Sequence, residues 1–263
     1  MTSLLQDYQL DELEQYPESD GKPMAENTEQ YRWIVMIKEN LEILFSTVLE
    51  VFIAADLFWY PVPNTPTTKV PPQAPDVMVV FGRPKGKRGT YRQWEEDNLA
   101  PQVVFEILSP SNKTSKGKRE MQQKLEFYQT YGVEEYYLYD PETFEFWGWL
   151  RQGERLAEIA TLTNWVSPRL GIRFAWQLGE ELEVYNPDGS KFLSSVELAQ
   201  QAKQERMQKE LAQRRTEQER MQKEQERMQK EQERMQKELA QQKVEQLAAY
   251  LRSLGINPDD IAP

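Results

Sequence analysis

Cysteine and histidine are both absent from the 263-residue sequence. The first absence removes disulfides and thiolate metal sites. The second removes imidazole ligands, imidazole bases and every serine or cysteine triad that needs one. Chemistry in this chain must therefore run on carboxylates, lysines and hydroxyls. Long apolar runs are missing too: none approaches the ~18 residues that a membrane helix needs, and no charged-then-apolar signal segment opens the chain. The expectation is a soluble, cytoplasmic protein with no membrane partner. The net charge of −11 argues mildly against indiscriminate nucleic-acid binding, which depends on neutralising phosphates, but leaves room for a local basic groove.

What is present divides unevenly along the chain. All seven Trp lie in the first two hundred residues, as does the negative charge, so that stretch can bury a core and the remainder cannot. Residues 1–27 are polar and proline-containing, and are expected to be an irregular lead-in. From about Glu29 to Ala55, apolar residues from Trp33 through Leu41, Phe45 and Val48 to Phe52 recur at three- and four-residue steps, which predicts one long amphipathic helix. Short runs follow that read as strands: LFWYPV near 57–62, DVMVVFG at 76–82, QVVFEIL at 102–108 and EYYLYD at 135–140. Between the last two, Met121, Leu125 and Tyr128 with Gly132 behind them predict a helix with a glycine stop. A hairpin turning near Gln152-Gly153, and short strands in LGIRFAWQ and ELEVYNPDGSKFLS around an Asp188-Gly189 turn, complete the domain and are expected to extend or cap the sheet. The fold class is thus α/β, with a mixed central sheet flanked by helices.

From about Ser195 a seven-residue repeat, ERMQKEQ, begins at Glu219, Glu226 and Glu233, with a broken copy at Glu205. Opposite charges four residues apart, Glu219 with Lys223 and Arg220 with Glu224, lace it into a helix. Met207, Met221, Met228 and Met235 supply one coiled-coil position, but the other is Leu211, Gln218, Gln225, Gln232 and Leu239, a poor seam. Either a self-standing charged helix or an adjustable arm for homo-oligomer assembly fits. The expected organisation is lead-in 1–27, domain 28–197, charged helix 198–252 and tail 253–263.

Three residues are ionisable where the pattern calls for burial. Asp76 opens the run VMVVFG directly after Pro75. Glu106 sits inside VVFEIL with apolar neighbours on both sides, an expensive place for a carboxylate without a positive partner or a metal. Lys124 is the positive candidate, because its helix follows the Glu106 strand and should pack back across the sheet. Two carboxylates and a lysine could hold Mg²⁺, or Mn²⁺ in its stead, with water and a substrate phosphate completing the shell. A bound cation would activate a water for phosphodiester hydrolysis, with the lysine positioning it or helping to deprotonate it. The competing reading is a buried Glu106–Lys124 salt bridge with no metal, and Asp76 as a turn residue after proline.

The segments PDVMVV, VVFEILSPSN and KLEFYQTYGVEEYYLYDP resemble the Uma-two family of restriction endonucleases, common in cyanobacteria, within the PD-(D/E)xK nuclease superfamily. The resemblance spans roughly residues 28–200 and leaves out the repeat. It implies a restriction-endonuclease-like fold and a metal-dependent endonuclease acting on DNA, with Asp76 and Glu106 as metal carboxylates and Lys124 as the catalytic lysine. Glu39 is a weaker match to an acid on the first helix of many superfamily members. In the superfamily the lysine stands two residues after the second carboxylate. That place is Leu108 here, so the resemblance implies that the lysine has moved onto the next helix. Two basic clusters are candidates for contact with DNA: Arg83, Lys85, Lys87, Arg88 and Arg92 after the Asp76 strand, and Lys113, Lys116, Lys118 and Arg119 after the Glu106 strand. They could also be ordinary solvated loops. The alternative function is a catalytically inactive nuclease fold that binds or assembles through its helical tail.

Overall fold

Asn27 starts a helix by accepting the Gln30 N–H on its side chain at 2.8 Å, and this helix, α1, runs from Thr28 to Leu44. Trp33, Ile34, Ile37 and Leu41 form its buried stripe. This is a computed structural model, and it describes residues 15–255 and Asn257. The first half of the expected lead-in and most of the expected tail after residue 253 lie outside the described residues.

The helix expected to reach Ala55 stops eleven residues sooner by the bounds of α1, and Val51–Ala54 is instead strand β1. The apolar spacing that suggested a continuous helix fails beyond Phe45, since Val48 and Leu49 are exposed. Within β1, Ile53 packs into one core cluster and Phe52 into the other. That is the two-residue alternation of a strand. β-Branched Val51 and Ile53 gain a backbone partner in the sheet that a helix could not offer them.

The remaining strands are β2 (Trp59–Tyr60), β3 (Val77–Phe81), β4 (Tyr91–Arg92), β5 (Val103–Ile107), β6 (Glu135–Asp140), β7 (Glu145–Gln152), β8 (Arg155–Glu158), β9 (Trp165–Val166), β10 (Arg173–Ala175) and β11 (Glu183–Tyr185). Helix α2 (Ser115–Tyr131) joins β5 to β6, and α3 runs from Ser195 to Ser253. Six strands form a central mixed sheet in the order β1-β3-β5-β6-β7-β8. Within that sheet only β5 and β6 pair in parallel, across the α2 connection. One face of the sheet packs on α1 and on the small β11-β10-β9 sheet through Phe105, Tyr137, Phe146 and Phe174. The other packs on α2 through Met78, Val80, Val104, Tyr128 and Tyr136. The run at 57–62 contributes only β2, which pairs with β4 outside the central sheet.

The chain divides into two compact units, Met1–Leu198 and Ala199–Pro263. In the second, α3 buries none of its residues, and Met207, Leu211, Met221, Met228, Met235 and Leu247 are all exposed. Bonds between side chains four residues apart, such as Arg234 to Glu238 at 3.3 Å and Gln222 to Glu226 at 3.4 Å, run along its surface. Among the described residues no helix is long and apolar enough to cross a membrane.

Candidate active site

Strands β3 and β5 run antiparallel with Val77 opposite Phe105. One step further along the same register brings Asp76 opposite Glu106, and the Ile107 N–H donates to Asp76 Oδ2 at 2.6 Å. Directly opposed residues of an antiparallel pair share a face. Both carboxylates therefore belong to the face beneath α2, where Met78, Val80 and Val104 continue the alternation. Glu106 is only 3% exposed and Asp76 9%.

Helix α2 completes the group. Thr114 caps it by accepting the Gly117 N–H at 3.0 Å, and Gly132 ends it in the left-handed conformation at φ 103°. Between these ends, Lys124 and Tyr128 sit one turn apart over Glu106. The Lys124 ammonium donates to Glu106 Oε2 at 2.7 Å, and the Tyr128 hydroxyl donates to Glu106 Oε1. Tyr128 is fully buried, stacked parallel to Trp59 and edge-on to Tyr136. From the sequence alone Tyr128 is simply part of the helix's apolar face. Its spacing of four from Lys124 was the available sign that its hydroxyl could share the same carboxylate.

The start of α2 depends on one glycine. A Cβ at Gly117 would lie 2.3 Å from the Ser111 carbonyl oxygen and 2.4 Å from Asn112 Cα. Both are backbone atoms of the Pro110–Lys113 turn, which Ser109 and Asn112 brace through mutual hydrogen bonds. Gly117→Ala is expected to push that turn off the helix and cost about 1–3 kcal/mol. A thermal melt unchanged from wild type would show that the turn yields freely.

Burial and the neighbouring Glu106 push the Asp76 carboxyl up to about 8, against the pull of Lys124 and the Ile107 N–H. For Lys124, burial alone would favour the neutral amine, but Glu106 and Asp76 outweigh it and the ammonium is held above its ordinary range. Burial, followed by Glu106, raises the Tyr128 hydroxyl well above its usual value, so it stays a donor.

A family model described as "Putative restriction endonuclease" matches residues 36–192. The chain belongs to the Uma2 family. Membership supports a nuclease role, and the matched segment contains Asp76, Glu106 and Lys124. A solved structure titled as a "putative nuclease belonging to DUF820" from Anabaena variabilis is similar at 15% identity, covering 60% of this chain and 87% of its own, with a TM-score of 0.41. Comparison with curated proteins found no match.

The other residues singled out in this Uma2 sequence go elsewhere. Glu39 accepts the Ser195 hydroxyl at 2.6 Å and makes no described contact with Asp76 or Glu106. Most of the basic side chains meet partners of their own. Arg83 pairs with Glu96 at 3.0 Å and with Asp97; Arg88 pairs with Glu96 at 2.6 Å and Arg92 with Glu95 at 3.3 Å. Lys85 donates to the Phe45 and Ser46 carbonyls, and Lys113 bridges Asp140 and Glu142. Lys87, Lys118 and Arg119 remain exposed, with Lys116 held only by Glu120 at 3.6 Å on the surface.

Among the described residues no three acids converge as a ready-made cation cage. The donors that are present still suit a hard divalent ion, which accepts one or two carboxylates and fills its shell with water and phosphate. Asp76 uses only Oδ2 in a described hydrogen bond, and once Asp76 gives up the proton that burial and Glu106 hold on it, the two opposed carboxylates would carry more negative charge than Lys124 cancels. A cation is the species that would relieve this.

Proposed function

We propose that the chain is a divalent-cation-dependent endonuclease that hydrolyses DNA phosphodiester bonds. The observation that carries this reading is the opposition of Asp76 and Glu106 on neighbouring strands, beneath Lys124, in a restriction-endonuclease family member. Asp76 and Glu106 would hold Mg²⁺ or Mn²⁺. When bound, such an ion lowers the pKa of a coordinated water and offsets charge growing on the phosphoryl oxygens. Lys124 stays an ammonium, so its part is to orient the attacking water and the phosphate by donating hydrogen bonds rather than to take the proton. Tyr128 fixes the Glu106 carboxylate from the buried side.

The strand of DNA would be held by the exposed cations Lys116, Lys118 and Arg119 on the first turns of α2, where the helix N-terminus also favours phosphate. The surface pair of Lys116 with Glu120 is weak enough to exchange for a phosphate. Arg83 and Arg88, half-buried against Glu96, are braces for their loop in this reading.

The test is a supercoiled-plasmid assay with the full chain and Mg²⁺ or Mn²⁺. Cleavage that requires the ion, disappears in Glu106→Ala and falls at least ~100-fold in Lys124→Ala supports the proposal. A second reading, a nuclease fold that binds without cutting, is favoured by the engagement of both Glu106 oxygens. Its sign is DNA retention without the ion and without any nicking. Normal cutting by Glu106→Ala would overturn the site assignment.

A further inference from the structure

A cation on Glu106 would compete with the two donors that hold its oxygens, and it would repel the charged one, so one of them is expected to let go. Tyr128 has no room to do so, since it is fully buried among Trp59, Phe127 and Tyr136. Lys124 does: its side chain is 21% exposed and its stem is flexible. An ammonium leaving Glu106 in a half-buried place needs another carboxylate to go to.

The chain leaving β1 supplies one. Strands β1 and β3 pair as far as Ala54 opposite Met78, and two residues past that end Asp56 lies beside Pro75, next to Asp76. The Asp56 N–H donates to the Pro75 carbonyl at 3.1 Å, which keeps the two chains together at that level. Asp56, Asp76 and Glu106 thus gather at the same end of three adjacent strands. Asp56 is the outermost and the only exposed member, and it takes the left-handed backbone at φ 50° as the chain leaves β1.

We propose that Asp56 is a positioning residue that receives Lys124 when Glu106 turns to a cation, so that the lysine alternates between the two carboxylates. Burial and Asp20 raise the Asp56 carboxyl while Lys124 draws it down, so the two groups already interact electrostatically. Because the three acids do not converge on a point, Asp56 acts on the ion through Lys124 and is not itself a ligand. The exchange keeps the ammonium at the site, beside the phosphate, instead of losing it to solvent. This inference rests on the nuclease reading for its purpose but not for its geometry.

Two measurements decide it. In a crystal structure of Glu106→Gln, which removes the charge from position 106 without a cation, Lys124 Nζ is expected within about 4 Å of the Asp56 carboxylate; an ammonium still seated at position 106 would overturn the exchange. Calorimetric titration of the full chain with Mn²⁺ is expected to give about tenfold or weaker affinity in Asp56→Asn, recovered in Asp56→Glu. Undiminished affinity in Asp56→Asn would also overturn it. If the wild type takes up no Mn²⁺, the nuclease reading fails, and the Glu106→Gln structure alone decides whether Lys124 exchanges.

Discussion

Asp76→Asn is expected to melt higher than the wild type at pH 8 in the presence of a chelator, and to lose cleavage by about 100-fold or more. The two effects share one cause. Unfolded, the Asp76 carboxyl releases its proton near 3.8; folded, burial and Glu106 hold that proton up to about 8. Between those values the folded chain binds the extra proton, so unfolding releases it and rising pH favours unfolding. The cost is absent below the unfolded value and complete above the folded one. Asparagine removes it, and its Oδ1 can still accept the Ile107 N–H. At about 1.4 kcal/mol per pH unit, a difference of up to about 4 kcal/mol, or roughly 8–16 °C for a domain of this size, should open between the two proteins from pH 5 to pH 8. Parallel melting curves across that range would mean that Asp76 is ionised in the metal-free protein.

Glu135→Ala is expected to be the most damaging substitution away from the site. Glu135 is completely buried at the start of β6. It accepts the Tyr137 hydroxyl at 2.9 Å, the Arg169 N–H at 2.6 Å and the Ser167 hydroxyl. Trp165 Nε1 donates to the Tyr137 oxygen at 3.0 Å, and the Leu170 N–H to Ser167 Oγ at 3.0 Å. Burial raises the Glu135 carboxyl while these donors oppose it. Removing it strands several buried donors at once, a loss of roughly 3–5 kcal/mol. Urea denaturation should show the full loss in Glu135→Ala and a smaller one in Glu135→Gln, with cleavage per folded molecule unchanged. A loss under about 1 kcal/mol would mean that water replaces the carboxylate readily.

Asp76 and Glu106 were legible as candidates because a charge at the head of an apolar run or inside one announces itself, and Lys124 because its helix follows the Glu106 strand and should pack back across the sheet. Tyr128 was not, since an aromatic at helical spacing is ordinary core until its hydroxyl is given an acceptor. Asp56 was invisible for a different reason. It interrupts nothing, and acquires neighbours only when β1 pairs with β3. The basic loops show the same limit from the other side. Glu95, Glu96 and Asp97 lie close by in sequence, yet the pairing of Arg83 and Arg88 with Glu96 depends on how the chain turns between β3 and β5. The overlong first helix was misread because Val48, Val51 and Phe52 prolong a helical period by coincidence, and periodicity cannot register a strand partner that arrives some thirty residues later.

The repeat in α3 has a consequence for how the protein can change over generations. Seven residues turn an α-helix by nearly two full revolutions, so gaining or losing one ERMQKEQ unit shifts reach by about 10 Å while rotating whatever follows by only ~20°. Near-identical units in tandem are also where a copying error inserts or removes a whole period. The length of this helix is therefore a quantity that can drift in steps without disturbing any packed residue, and chains that differ in repeat number are expected to express and fold alike.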